Sequence, residues 1–266
     1  YIYILLSPLV FLIFILRPLK CIKFCKIHSE RIGPFMFEVE GFLKAKNTIP
    51  EIKRSLIFFY YAKYVSNRQV KIMTERMLNV NVYAYNLIFN LISSAIIFWG
   101  NKKHHILDMR LFHLNNMYTI CPKWFENDRS EFNFNSDEKE RGLELRRKLG
   151  MKDQDKWICI FNRDSSYLDK TYPDGWPREQ KNWSYHGIRN FPVSSLRSAA
   201  EFFASKGYFV LRMGSVVKDR FKSNNTKIID YSNSLLRNDF NDVYLLSNCE
   251  ASLGGDTGIN CIPIIF

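Results

Sequence analysis

The feature that most constrains the fold of this chain is segment 250–266, in which a short apolar strand leads into a glycine-rich turn. Ala251–Leu253 is followed by Gly254-Gly255-Asp256-Thr257-Gly258, and then by an apolar run. Glycine lets the backbone approach a ligand closely, and the N–H groups at a helix start attract anions. The pattern predicts a strand, a turn that binds a phosphate, the start of a helix and a second strand. A tight connection without a ligand explains the turn alone equally well.

Apolar strands alternate with helical patterns through the rest of the 266 residues. Strands separated by helices of this length predict a parallel sheet, and two such domains leave a cleft where ligands bind. We therefore expect the α/β class, with two Rossmann-like domains facing a cleft, at 20–135 and 136–266. The predicted strands are 21–27, 56–65, 156–162, 208–213, 227–230 and 251–254. The predicted helices are 35–46, 82–100, 136–149, 192–206 and 239–247, with Ser136 expected as the N-cap of the third.

Residues 1–19 are mostly apolar and are followed by basic residues at Lys20, Lys23 and Lys26, with Arg17 at the boundary. Sixteen apolar residues are marginal for a hydrocarbon core of about 30 Å, but upstream residues would complete a span. Because positive charge follows the segment, we predict a hydrophobic membrane anchor with the remaining chain on the cytoplasmic face of the inner membrane. A buried hairpin of the fold is the alternative. The chain starts at Tyr1 and ends within a motif, so residues are expected to be missing at both ends, leaving the second domain truncated.

The formal net charge is +12, which requires a negative partner such as an anionic membrane surface or a phosphate-bearing substrate. No nucleic-acid-binding module is recognisable, and nucleic acid is therefore not an expected partner. The six cysteines are scattered, and most lie in apolar runs, as buried thiols do in a reducing compartment.

Polar residues follow the predicted strands of the second domain. Arg163 and Asp164 follow one strand, while Arg212 and Gly214 end another. Open α/β sheets bind ligands at the carboxyl ends of their strands, and a guanidinium group can grip a diphosphate through two hydrogen bonds. An ordinary surface ion pair is the commoner role of a single arginine at a strand end.

A long insertion at 165–184 ends in Tyr185-His186-Gly187-Ile188-Arg189-Asn190. A loop of this length inside a compact domain is usually functional or mobile. His186 and Arg189 are three residues apart, which places them on one face of a helical turn, where both could contact an anion. A histidine that only packs the loop is the alternative.

Several short sequences, taken together and in order, resemble a family of bacterial glycosyltransferases from surface-polysaccharide and lipopolysaccharide gene clusters. The resemblance extends from about Arg17 to Phe266. The sequences are Ser29-Glu-Arg-Ile-Gly33, Asn162-Arg-Asp-Ser-Ser-Tyr-Leu168, Tyr185-His-x-x-Arg-Asn190, Val210-Leu-Arg-Met-Gly214, Ile229-Asp-Tyr-Ser-Asn233, Asn238-Asp-Phe-x-Asp242 and Gly255-Asp-Thr-Gly258.

The resemblance implies a GT-B-like architecture and transfer of a sugar from a nucleotide-sugar donor to a glycan or lipid-linked acceptor. The donor is a substrate, and neither a cofactor nor a metal ion is expected. The acceptor side would be formed by Ser29, Arg31 and Gly33. The donor and its phosphates would be bound by Arg163, Asp164, Tyr185, His186, Arg189, Asn190, Arg212, Gly214, Gly255, Asp256, Thr257 and Gly258.

One position departs from the family pattern. Where relatives commonly have Arg-Ile-Gly-His, this chain has Arg31-Ile32-Gly33-Pro34. If that histidine is the proton acceptor in relatives, this chain must use His28, Glu30 or Glu38, or have lost activity. The alternative function is therefore a non-catalytic, membrane-associated protein of polysaccharide assembly with the same fold.

Overall fold

The computed structural model describes residues 1–78, 87–113, 116, 130–171 and 183–266, without the side chain of Tyr185. The chain divides into two compact units. The first comprises Tyr1–Asn133 and Ile265, and the second comprises Phe134–Ile264 and Phe266. The predicted insertion at 165–184 and the start of the predicted helix 82–100 lie partly outside the described residues.

The first unit is built on a three-stranded parallel sheet with strand order β2-β1-β3. Its strands are β1 (Ile22–Ile27), β2 (Leu56–Tyr61) and β3 (Ile106–Asp108). Its helices are α1 (Ile2–Leu5), α2 (Ser7–Leu16), α3 (Ile32–Ala45), α4 (Pro50–Lys53), α5 (Arg68–Leu78), α6 (Leu87–Phe98) and α7 (Lys102–His105), with a 3-10 helix at Met109–Phe112.

The second unit is built on a four-stranded parallel sheet with strand order β6-β5-β4-β7. Its strands are β4 (Trp157–Phe161), β5 (Phe209–Arg212), β6 (Ile228–Ile229) and β7 (Ala251–Gly254). Its α-helices are α8 (Ser136–Lys148), α9 (Ser166–Thr171), α10 (Arg197–Ser205), α11 (Asp239–Ser247) and α12 (Cys261–Ile265), and its 3-10 helices are Ser184–Arg189, Val193–Leu196, Tyr231–Asn233 and Gly258–Asn260.

Residues of the apolar N-terminal segment form part of the core of the first unit. Val10 and Ile13 of α2 are buried in a cluster with Phe24 of β1 and with Ile92 and Ile96 of α6. Within the described ranges, no helix combines the length and apolar character needed to cross a bilayer.

Several element predictions are confirmed, including the parallel sheets, β4, β7 and α11. The predicted second strand after the glycine turn is wrong, because residues 261–265 form α12. Pro263 lies in the first turn of that helix, where its missing N–H costs nothing. The predicted N-cap at Ser136 is also wrong by one residue. Asn135 caps α8, and its side-chain oxygen accepts from Glu138 N at 2.8 Å. In return, the Glu138 carboxylate accepts from Asn135 N at 2.9 Å.

Candidate functional site

Polar side chains connect the carboxyl ends of β4, β5 and β6 in the second unit. Arg212 Nη2 donates to Asn162 Oδ1 at 3.1 Å, and Arg212 Nη1 donates to Ser232 Oγ. The Ser232 hydroxyl in turn donates to Asp230 Oδ1 at 2.8 Å. Because all strands of this sheet are parallel, these residues lie along one edge. The network holds three strand ends in fixed register at the edge where α/β sheets bind ligands.

Arg212 does not have the role predicted from sequence. The side chain is 0% exposed, and Nη1 lies 3.6 Å from Asp230 Oδ1. Burial lowers the pKa of Arg212, while Asp230, Asp164 and Asp219 act against that shift. A diphosphate has no accessible guanidinium surface to grip here, and Arg212 instead braces the strand ends. Its partners Asn162, Asp230 and Ser232 were missed as a network, although each stands in a quoted sequence motif.

The 3-10 helix Ser184–Arg189 brings two predicted site residues together. Arg189 Nη2 donates to His186 Nδ1, and Arg189 Nη1 donates to Asp256 Oδ2 at 2.6 Å. The His186 ring stacks on Trp183, with centroids 6.1 Å apart and planes inclined by 8°. With Nδ1 accepting, the neutral imidazole carries its proton on Nε2. The guanidinium is thus aligned by an imidazole on one side and a carboxylate on the other.

This helix is attached to the sheet edge through Phe191. Phe191 N donates to the Arg163 carbonyl at 3.1 Å, and Asn162 Nδ2 donates to the Phe191 carbonyl at 3.0 Å. The Phe191 ring lies so close to Gly255 that a Cβ there would be 2.6 Å from the ring. Arg163, Arg189 and the glycine turn therefore gather at one edge of the second sheet.

The turn after β7 requires glycine for steric reasons. A Cβ on Gly254 would lie 2.3 Å from the Phe161 carbonyl oxygen. Gly255 N donates to the same carbonyl at 3.4 Å, which ties the turn to β4. Thr257 follows, and its buried Oγ1 makes no hydrogen bond to any described residue. A hydroxyl in that state is costly unless a ligand or water satisfies it.

The remaining predicted donor residues have mainly structural contacts. Asp164 accepts from Ser166 N at 2.9 Å and from Lys218 N at 3.1 Å. Gly214 has φ of +147°, and a Cβ would be 2.6 Å from Val217. Asn190 is exposed and follows the 3-10 helix Ser184–Arg189, and Gly258 is the first residue of the 3-10 helix Gly258–Asn260. The Tyr185 side chain lies outside the described residues.

A second polar group lies at the carboxyl end of β1 in the first unit. His28 Nδ1 is 2.7 Å from Glu38 Oε2, with the Glu38 side chain 3% and the His28 side chain 30% exposed. If Nδ1 carries the proton and donates it to the buried carboxylate, Nε2 is left as the proton acceptor. Of the three base candidates, His28 and Glu38 form a pair, whereas Glu30 lies 3.7 Å from Lys26.

Asp108 and Arg110 were missed by sequence reasoning. Arg110 Nη2 donates to Asp108 Oδ2 at 2.6 Å, which lowers the pKa of Asp108, and His28 lowers it further. Asp108 is the last residue of β3, which is hydrogen-bonded to β1, and Arg110 lies in the 3-10 helix that follows. The signal was the apolar pair Ile106-Leu107 before an aspartate, too short to be recognised as a strand.

The predicted acceptor residues are not gathered as expected. Ser29 is fully buried, and its hydroxyl donates to the Tyr64 carbonyl at 2.7 Å. Gly33 is buried in the first turn of α3, so neither residue offers a side chain to an acceptor. The expectation is therefore wrong for these two positions, whose role is to shape the turn. Arg31 is exposed as the residue before α3.

An Asp-x-Asp pair, the metal-binding sequence of many glycosyltransferases, was overlooked at Asp153-Gln154-Asp155. It precedes β4 at the amino end of the sheet. Asp153 lies 3.4 Å from Arg147, and Asp155 Oδ2 accepts from Lys152 N at 2.7 Å. The pair thus shapes the turn at the sheet edge opposite to the Arg163–Arg189 group.

No family model and no curated protein matches the sequence. Its structure is similar to the crystal structure of a glycosyl transferase family 9 protein from Veillonella parvula DSM 2008. The TM-score is 0.50 at 11% identity, covering 92% of this chain and 78% of that chain. The chain therefore has an α/β fold with parallel sheets of the type found in that glycosyltransferase.

Proposed function

We propose that this protein is a glycosyltransferase that moves a sugar from a nucleotide-sugar donor to a cell-surface glycan or lipid-linked acceptor at the cytoplasmic membrane face. The observation that carries the proposal is the gathering of Arg163, His186, Arg189 and the glycine turn at one edge of the second sheet. The likeness of the fold to a glycosyltransferase supports it.

The donor diphosphate would bind at Arg189, with Arg163 adding positive charge. Arg189 already forms a charge-assisted contact with the Asp256 carboxylate, whose side chain is 75% exposed. A phosphate presents the same oxygen pattern with more charge, and it can replace this exposed carboxylate on the guanidinium. The unsatisfied Thr257 hydroxyl lies one residue from Asp256 and would donate to the same phosphate.

His28 would act as the proton acceptor, positioned by Glu38. In the transfer step, His28 Nε2 takes the proton of the acceptor hydroxyl, and that oxygen forms a bond to the anomeric carbon of the sugar. The bond from that carbon to the diphosphate oxygen breaks, and its electron pair leaves with the nucleoside diphosphate. Glu38 stabilises the imidazolium formed, as a buried carboxylate does in other proton-transfer pairs.

The test begins with donor binding. Titration calorimetry of a nucleotide-sugar panel against the full chain should find at least one ligand, and Arg189→Ala should weaken its binding by roughly 10- to 100-fold, because hydrogen bonds to charged groups contribute about 1.5–3 kcal/mol. Arg147→Ala is the matched control, since Arg147 also pairs with an aspartate on the surface of the same unit. It should bind like the wild type.

Turnover separates an enzyme from a non-catalytic assembly protein. Incubation of the full chain with the bound donor and a membrane extract should release nucleoside diphosphate, and Arg189→Ala should not. Equal donor affinity in the wild type and both variants would refute the assignment of Arg189 to the donor diphosphate. Specific binding without any release would favour the assembly protein.

A further inference from the structure

The first unit carries a surface of exposed apolar side chains formed by two helical segments distant in sequence. On α2, Phe11, Leu12 and Ile15 are 45%, 51% and 73% exposed. At the end of α6, Ile97, Phe98 and Trp99 are 49%, 60% and 39% exposed. We call these six residues the apolar face.

Direct contacts join the two segments into one surface. The Phe11 and Trp99 rings are 5.3 Å apart between centroids, and Phe98 lies 5.6 Å from Tyr3 of α1. Trp99 Nε1 also donates to the Tyr3 carbonyl at 3.4 Å. The exposed rings of α6 are thus continuous with those of α1 and α2.

Folding of the unit does not account for this face. The inward side of the same helices already fills the core, where Val10, Ile13, Ile92 and Ile96 are at most 5% exposed. Helices that are apolar on both sides are typical of segments that meet a second apolar medium. A soluble surface rarely keeps large apolar side chains in one group unless that group binds something.

Charge identifies the partner. The segments 1–29 and 87–107 contain no aspartate or glutamate. Exposed cations follow both helices, namely Arg17 and Lys20 after α2 and Lys102 and Lys103 after α6. Lys23 Nζ donates to the His104 carbonyl at 2.9 Å, which joins the basic stretch after α2 to the basic stretch after α6.

We propose that the apolar face lies in the plane of an anionic phospholipid surface. The side chains of the apolar face other than Trp99 enter the boundary of the acyl region, and Arg17, Lys20, Lys102 and Lys103 contact the lipid phosphates. Apolar area and basic charge on one surface are the two attachment signals that interfacial proteins combine. Trp99 and Tyr3 occupy the level of the headgroups, where such rings are enriched. The inference does not rest on the glycosyltransferase proposal.

Vesicle co-sedimentation of the full chain tests the proposal. We expect binding to phosphatidylcholine vesicles that contain phosphatidylglycerol and much weaker binding to phosphatidylcholine alone. The double variant Ile15→Ser/Phe98→Ser should bind at least about tenfold more weakly, because two exposed apolar anchors are lost. Leu235→Ser is the matched control, since Leu235 is 104% exposed in the second unit, and it should bind like the wild type.

A charge variant tests the proposed role of the basic residues without altering a packed side chain. Arg17→Gln/Lys103→Gln should weaken binding to the anionic vesicles by about fivefold for each charge, since a basic residue near such a surface contributes about one kcal/mol. Lys148→Gln, on an exposed helix of the second unit, is its control. Thermal unfolding followed by circular dichroism should show that all variants are folded.

Three results would overturn the proposal. Equal vesicle binding by the wild type and the Ile15/Phe98 variant would show that the apolar face does not bind the vesicles. Equal binding to neutral and anionic vesicles would show that the net negative charge of the lipids does not attract the basic residues. A dimer in solution that the same variant dissociates, with no vesicle binding by the wild type, would assign the face to a second copy of the chain. None of these outcomes bears on nucleotide-sugar binding.

Discussion

The carboxyl edges of the two sheets differ in chemistry although both are built from parallel strands. The edge of the first sheet carries a buried carboxylate paired with an imidazole, at Glu38 and His28. The edge of the second sheet carries guanidinium groups and a glycine turn, at Arg163, Arg189 and Gly254–Gly258. The first set can move a proton, and the second can hold an anion. One strand architecture thus supports either task, and the residues that follow the strands decide which.

Replacing His28 should have the largest effect and should separate the two edges. His28→Gln keeps a similar size but removes the proton acceptor, so nucleoside diphosphate release should fall by about 10²- to 10⁴-fold. Donor affinity, which we assign to the second unit, should stay at the wild-type value. Steady-state turnover and titration calorimetry on the same preparation measure the two effects.

Two further variants make that result specific. Glu38→Gln should also lower turnover, but less than His28→Gln, because it disturbs only the orientation and charge of the imidazole. His113→Gln, on a histidine that contacts Phe37, should leave turnover unchanged. Full turnover in His28→Gln would remove His28 from the mechanism.

Replacing Arg212 should give the next largest effect, and here the effect is on stability. Arg212→Met leaves Asp230 without its buried cation, and such a loss typically costs about 3–5 kcal/mol. Arg189→Ala breaks only a partly exposed ion pair and should cost at most about 1 kcal/mol. Urea denaturation of both variants compares them. Equal stability of the two would show that Arg212 does not brace the strand ends.

The contrast between Arg189 and Arg212 also shows how much of the site could be predicted from sequence. Arg212 ends β5, whereas Arg189 ends the 3-10 helix that follows the insertion, and both were predicted to bind the donor phosphates. Position along the chain predicts the sheet edge for residues that follow strands, such as Arg163 and Arg212, since parallel strands share one edge. The burial of Arg212 depends instead on Asn162, Asp230 and Ser232, which follow the strands on either side of β5. Local pattern contains no such information.

The same reason explains what could and could not be predicted of the fold. Long apolar strands such as β4 and capped helices such as α11 have strong local signals, and their predicted bounds were close to those observed. By contrast, β3 has three residues, and only its hydrogen bonds to β1 define it as a strand. The run Cys261–Ile265 is apolar enough for a strand, yet it forms a helix.

The pH dependence of stability tests the Asp242 carboxylate on α11 of the second unit. Burial raises the pKa of Asp242 to about 6, although Arg237 and Tyr231 oppose the shift through bonds of 3.0 Å each. Because the folded pKa exceeds the ordinary value, this group favours folding most at low pH, and the contribution is lost as the pH rises through about 6.

Relative to Asp242→Asn, the wild type should therefore lose about 2 kcal/mol of unfolding free energy between pH 4 and pH 7. Urea denaturation of both proteins across this range measures the difference, and titrations shared by the two proteins cancel. A difference that stays constant with pH, or grows in the opposite direction, would show that Asp242 is ionised in the folded protein at little cost.

The smallest expected effect concerns how helices begin in the two units. Helix α8 of the second unit starts with a reciprocal pair of bonds between Asn135 and Glu138, whereas α3 of the first unit starts at Arg31 without a side-chain cap. Asn135→Ala should cost about 1 kcal/mol in urea denaturation. Ser136→Ala, at the position that sequence alone favoured, should cost almost nothing, since its hydroxyl contacts only Asp137 at 3.4 Å. The reverse order of the two costs would restore Ser136 as the cap and remove this difference between the units.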